Sequence, residues 1–251
     1  MKKIIFLFVL LNILCIENFA QKVEFQPVEL IHAPTAGLLL RQNLSFKTYL
    51  YDEGSLLFYF NIGLFSRLNL GISYGGKNLI GDEDILWNNR MELNIKLRLV
   101  NETYSIPAIA VGYNSQGIGK YFENPYNRYF IKSYGFYLVM SKNYYFYGNM
   151  GLHLGANYSG ENQKDDDINL FLGLDKDVFS NFQFAMEYNF ALNDNDTKEL
   201  FGQGKGFLNC KISYIPLNNI SFEFILFDLL NNRKDSTNPI RSLRITYITN
   251  F

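Results

Sequence analysis

The run Asn89-Arg90-Met91-Glu92-Leu93-Asn94-Ile95-Lys96-Leu97-Arg98-Leu99-Val100 decides the fold class of this chain. Met91, Leu93, Ile95, Leu97 and Leu99 fall on one face of a period-2 strand, and Arg90, Glu92, Asn94, Lys96 and Arg98 fall on the other. The charged face needs water or partners, and the aliphatic face needs an apolar surrounding. A soluble sheet satisfies both with its charges turned outward. A membrane barrel inverts the arrangement, with the apolar face to lipid and the polar face to a lumen.

The pattern repeats on both sides of this run. Residues 39–50, 55–65 and 67–75 precede it with the same alternation. Residues 105–113, 131–141, 144–158, 167–175, 181–191, 205–215, 219–227 and 241–251 follow it. Ile225 and Phe227 break the polar face of their strand. Short connections at Ser66, 101–104, 142–143, 176–180 and 216–218 alternate with long ones at 76–88, 114–130, 159–166, 193–204 and 228–240. The connection at 51–54 departs from this by being short. Short turns at one end and long polar loops at the other are how a transmembrane barrel is connected. The expectation is an all-β, transmembrane, antiparallel up-and-down barrel of about 12 strands over residues 38–251, each strand long enough to cross a bilayer. Tyr74, Tyr113, Tyr144, Tyr158, Tyr188, Tyr214 and Phe251 near strand ends suit the aromatic girdles of such a barrel.

The start of the chain fits export. Lys2 and Lys3 precede an apolar stretch at 4–14, too short for a transmembrane helix, and Ala20 suits a cleavage residue. Residues 1–20 are therefore expected as a signal peptide and 21–37 as a periplasmic leader, which either plugs the bore or hangs in the periplasm. The mature chain then carries one cysteine, Cys210, so no internal disulfide framework is expected. A net charge of −1 gives no electrostatic case for nucleic acid. The localisation expected is the outer membrane of a Gram-negative-type bacterium.

On the inward face the candidate lumen residues are Lys47, Arg67, Arg90, Glu92, Lys96, Arg98, His153, Glu187, Lys211, Glu223 and Arg244. Pairing across a narrow bore is one use for them. An anion-preferring passage lined by Arg and Lys is the other. A barrel hydrolase would need a Ser/His pair, and His153 sits between Gly151 and Gly155 with no local His-x-Ser pattern, so no enzyme is expected. No spaced calcium loop and no phosphate or dinucleotide glycine motif is present, so no cofactor or metal is expected. A structural or adhesive surface role would use the loop 114–130.

Two resemblances add to this. Residues 241–251, Arg-Ser-Leu-Arg-Ile-Thr-Tyr-Ile-Thr-Asn-Phe, resemble the closing strand of bacterial outer-membrane barrels. That likeness implies that Tyr247 and Phe251 form the signal read by the barrel-assembly machinery. Pro34-Thr35-Ala36-Gly37 precedes Pro107-Ala108-Ile109-Ala110-Val111-Gly112-Tyr113, which leads into Gln116-Gly117-Ile118-Gly119-Lys120-Tyr121 and then Tyr137-Leu138-Val139-Met140-Ser141-Lys142. This order, over residues 34–142, resembles the YjbH-type outer-membrane proteins associated with exopolysaccharide production. The partners implied are outer-membrane lipid, the assembly machinery, and polysaccharide or small solutes.

Overall fold

The computed structural model describes residues 26–52, 54–161, 165–195, 205–234 and 238–251. The expected signal peptide lies outside the described residues. The alternating stretches form β1 (Asn43–Tyr51), β2 (Ser55–Phe65), β3 (Leu68–Lys77), β4 (Leu86–Trp87), β5 (Glu92–Val100), β6 (Ala108–Asn114), β7 (Ile118–Phe122) and β8 (Arg128–Ile131). They continue as β9 (Gly135–Tyr145), β10 (Asn149–Tyr158), β11 (Asn169–Phe179), β12 (Phe182–Asn189), β13 (Phe207–Leu217), β14 (Ile220–Phe227) and β15 (Ile240–Asn250).

β1 pairs antiparallel with both β2 and β15. The ring runs on through β3, β5, β6 and β9, then in sequence order to β15. This is a closed, antiparallel, up-and-down barrel of 12 strands with no open edge. β4 extends the rim beside β3, and β7 and β8 form a separate hairpin within the long connection from β6 to β9.

Register and pleat sort the side chains. Phe136, Leu138 and Met140 of β9, Leu152 and Leu154 of β10, and Leu243, Ile245 and Tyr247 of β15 stand exposed on the outer surface. At about 25 cal/mol per Å² of apolar area, such a belt is at rest only in hydrocarbon, so the barrel is transmembrane. The opposite face is polar and buried, including Ser45, Glu92, Lys96, Ser141, His153, Asn169, Glu187, Asn209, Glu223 and Arg244.

Strand ends differ from the sequence reading. β9 runs on to Tyr145, so the turn lies at 146–148 rather than 142–143; Tyr147 and Gly148 hold the positive φ it requires, 46° and 115°. β11 continues to Phe179, past the expected end at Asp175, which makes Asp177 a strand residue rather than part of a turn.

Of the two places open to the expected leader, the described part, residues 26–37, takes the bore. It enters from the short-turn end, where Gln26 Nε2 donates to Glu102 (2.9 Å), reverses through Leu30 N to Ala33 O (2.9 Å), and returns toward β1. Leu30, Ile31, Ala33 and Ala36 have 0% exposure and pack with the inward Leu57, Val139, Phe171 and Ile225. Ile225 and Phe227 of β14 thus face this inserted segment, which is why they break the polar face of that strand.

The plugged bore

The site is the barrel interior, where the strands present side chains to the backbone of the inserted segment. Four anchors hold it.

The first anchor is Glu187 on β12. Its carboxylate accepts the amides of Ile31 (3.0 Å), His32 (3.0 Å) and Ala33 (2.8 Å) at the tip of the turn. Asn209 on the neighbouring β13 donates its Nδ2 to the same carboxylate at 2.9 Å. A carboxylate at a turn of successive amides is an anion held in a nest of N–H dipoles.

The second is the charge cluster of β1, β13, β14 and β15. Arg244 donates to Glu223 (2.6 Å), to Glu29 of the segment (2.7 Å), and to the carbonyls of Ile31 (2.7 Å) and Leu30 (2.9 Å). Glu223 also pairs with Lys211 at 3.1 Å, and Lys47 pairs with Glu29. Antiparallel register makes this possible, since Glu223 lies opposite both Arg244 and Ser213. Burial raises the Glu29 carboxyl, and Lys47 and Arg244 outweigh it, bringing its pKa to about 2. His32, also on the inserted segment, is driven down to about 3 by burial and by Arg244, so it is neutral where it meets the Tyr49 hydroxyl at 3.3 Å.

The third is β5. Lys96 donates to the carbonyls of Val28 and Gly37, and Arg98 to Ala36 O (2.8 Å) and Gln26 Oε1 (2.7 Å). The legs of the segment are so close that a Cβ on Gly37 would lie 2.1 Å from Pro27 O. A Cβ on Gly173 of β11 would lie 2.1 Å from Leu30 Cδ1.

Across the bore, Ser141, His153 and Asp175 form a relay. His153 Nδ1 lies 2.7 Å from Ser141 Oγ and its Nε2 lies 2.6 Å from Asp175. The amide of Ala36 donates to the same Oγ at 2.8 Å, so this relay also anchors the segment.

The long-loop end is closed separately. The β7–β8 hairpin folds over the bore, with Arg128 held bidentate by Asp194 (2.8 and 3.0 Å) and the Tyr129 hydroxyl donating to Glu92 (2.7 Å). Glu161 accepts the amides of Tyr129 and Ser133 at 3.0 and 3.1 Å. Burial raises the Glu161 carboxyl, against these bonds, and lowers the Lys132 amine beside it. Between hairpin and segment about 30 Å³ remains. At the short-turn end the bore opens into a vestibule of about 500 Å³ bordered by Glu29, Lys47, Lys211 and Arg244.

Of the expected lumen residues, Lys47, Glu92, Lys96, Arg98, His153, Glu187, Lys211, Glu223 and Arg244 thus meet in the interior. Arg67 does not: it is exposed in the turn between β2 and β3, where Nη1 reaches Leu99 O at 3.5 Å. Arg90 precedes β5 and keeps 55% side-chain exposure, pairing with Glu92 at the mouth and covering the Tyr121 ring. Two inward acids were missed: Asp175, the last residue of the expected strand, and Asp177, which lies beyond that strand's expected end. With Arg67 and Arg90 outside the interior, they balance the wall charges: Lys47, Lys96, Arg98, Lys211 and Arg244 stand against Glu92, Asp175, Asp177, Glu187 and Glu223. Tyr247 is on the outer surface, and the Phe251 amide donates to Gln42 O at 3.0 Å beside the start of β1.

No protein-family model matches the chain, and no curated protein matches it in sequence. Solved structures do. The barrel is similar to that of the KdgM porin. The match has a TM-score of 0.53 at 11% identity and covers 82% of this chain and 98% of that one. The KdgM porin in complex with disordered oligogalacturonate matches at 0.51 and 10% identity, covering 82% and 98%. The NanC porin matches at 0.44 and 11%, covering 83% and 99%. What the KdgM structures share with this chain is the fold, a porin-like closed barrel.

Proposed function

We propose that this protein is an outer-membrane barrel for acidic oligosaccharides whose passage is closed at rest by its own N-terminal segment. The observation that carries this reading is Glu29, a carboxylate seated between Lys47 and Arg244 inside a porin-type barrel. A uronate carboxylate has the same charge and geometry and would meet the same cations. A barrel of the same fold has been solved with oligogalacturonate, which supports the solute class. With the barrel in the outer membrane, the short turns, the start of β1 and the end of β15 face the periplasm.

The link to surface polysaccharide rests on the YjbH-type resemblance. The stretches that carry it converge in the bore: Ala36 meets Ser141, Gly112 packs against Tyr137, and Gly117 packs against Tyr129. Tyr247 and Phe251 serve as the assembly signal in this reading. Deleting Phe251 is expected to reduce heat-modifiable, membrane-inserted protein, and unchanged levels would count against that role.

The transport reading is tested in proteoliposomes loaded with fluorescent trigalacturonate or maltotriose. Faster release of the acidic sugar from vesicles carrying the protein supports it, and equal release rates oppose it. The Ser141–His153–Asp175 relay is the observation that favours a hydrolase instead. That alternative predicts labelling of Ser141 by a serine-directed fluorophosphonate, whereas a relay that anchors Ala36 leaves Ser141 unlabelled.

A further inference from the structure

The basic cluster can be reached from one side. Toward the long loops it is covered by the inserted segment and the β7–β8 hairpin, with about 30 Å³ between them. Toward the short turns it borders the vestibule of about 500 Å³, large enough for a sugar unit or two. The side-chain exposures follow the same direction: Glu29 keeps 22%, against 12% for Lys47 and 4% for Arg244. The vestibule wall carries Asn61, Asn94, Asn181 and Asn219, whose amides both donate and accept, together with Phe179; of its carboxylates, Asp177 is bonded to Asn149 and Gln183, and Glu223 to Lys211 and Arg244. Amides beside an aromatic ring, ahead of a cationic floor, suit hydroxyls, a sugar face and a terminal carboxylate in turn.

We infer that the short-turn vestibule is a binding site for a carboxylate-bearing saccharide, and that such a ligand takes the place of Glu29 on Lys47 and Arg244 and so loosens the inserted segment. This rests on the transport reading for its solute class and adds a side of entry and a trigger. Glu29 is then the resident occupant of the ligand site. Displacing it removes the segment's own side-chain ion pair, leaving the tip held through backbone bonds to Glu187 and Arg244. In the orientation above, the ligand arrives from the periplasm, which favours outward passage.

The experiment uses the full chain folded in detergent and trigalacturonate as the probe, with maltotriose beside it. Calorimetric titration of wild type and Glu29→Gln is compared, and amide exchange at Ile31, His32 and Ala33 is followed in wild type with and without the acidic sugar. The inference expects trigalacturonate to bind Glu29→Gln about tenfold more tightly than wild type, because the competing charge is gone. It also expects the three tip amides to exchange faster when the sugar is bound. Equal affinities, slower exchange, or equal binding of maltotriose would overturn it. Should Glu29→Gln fail to fold, the wild-type exchange measurement decides alone. Binding failure with acid-selective release from vesicles would remove this inference and leave the transport reading standing. Binding and loosening without release would do the reverse.

Discussion

The bore is closed twice, and the two closures are built from different chemistry. At the long-loop end the β7–β8 hairpin is held by side chains on both partners: Arg128 to Asp194, Tyr129 to Glu92. In the middle, the inserted segment is held mostly through its backbone, with strand side chains reaching its amides and carbonyls and Glu29 as its charged contribution. A closure made of side-chain pairs opens when one partner is lost. A closure whose polar contacts are made to backbone is controlled from the barrel wall rather than by the segment's polar side chains.

The strongest way to break the inner closure is therefore a wall residue. Glu187→Ala leaves the amides of Ile31, His32 and Ala33 without their acceptor, at about 1–3 kcal/mol each. Amide exchange should rise by orders of magnitude at 31–33 and stay unchanged at 128–131. Arg128→Met should do the converse: removing one partner of a buried pair strands Asp194 and costs about 3–5 kcal/mol. Exchange at 128–131 should then rise while the tip amides stay protected. If either variant loosens both regions equally, the closures are one unit and the comparison fails.

Gly37→Ala sharpens the backbone argument with a smaller effect. The added methyl would sit 2.1 Å from Pro27 O, so the legs must spread, at about 1–3 kcal/mol. Proteolysis within the segment should accelerate in the folded barrel, whereas Ala at the exposed Leu40 should leave it unchanged.

The mildest test is pH. Glu29 is held at about 2, below its ordinary 4.5, so its contribution to closure is fully present above 4.5 and is lost as pH falls toward 2. Exposure of the segment to an acid-stable protease such as pepsin should therefore increase over that window in wild type and less so in Glu29→Gln.

The barrel wall was legible in the sequence because its period-2 pattern is set by two different solvents, lipid outside and polar interior. β2 matches the expected 55–65 throughout. Strand ends were less legible: alternation continues through Tyr144 and Tyr145, and Gly148 was the available sign of the true turn. The hairpin also left a sign, since Asn124-Pro125-Tyr126-Asn127 is turn chemistry between two aromatic runs. The inserted segment left almost none. Its anchors recognise backbone atoms, which every residue carries, so Leu30 and Ile31 read as a short apolar patch in a leader. The charges on the wall were found as types, and pairing among them, as of Glu223 with Lys211 and Arg244, was expected; their partners on the inserted segment were not, because those are carbonyls more than 50 residues away.

Single-channel recording in planar bilayers bears most directly on the central claim, that a porin-type bore is shut by two independent closures. Folded wild type should be electrically quiet, and the Glu187→Ala, Arg128→Met double variant should conduct in discrete steps. Equal conductance in the two, or a folded double variant that stays silent, would contradict the account.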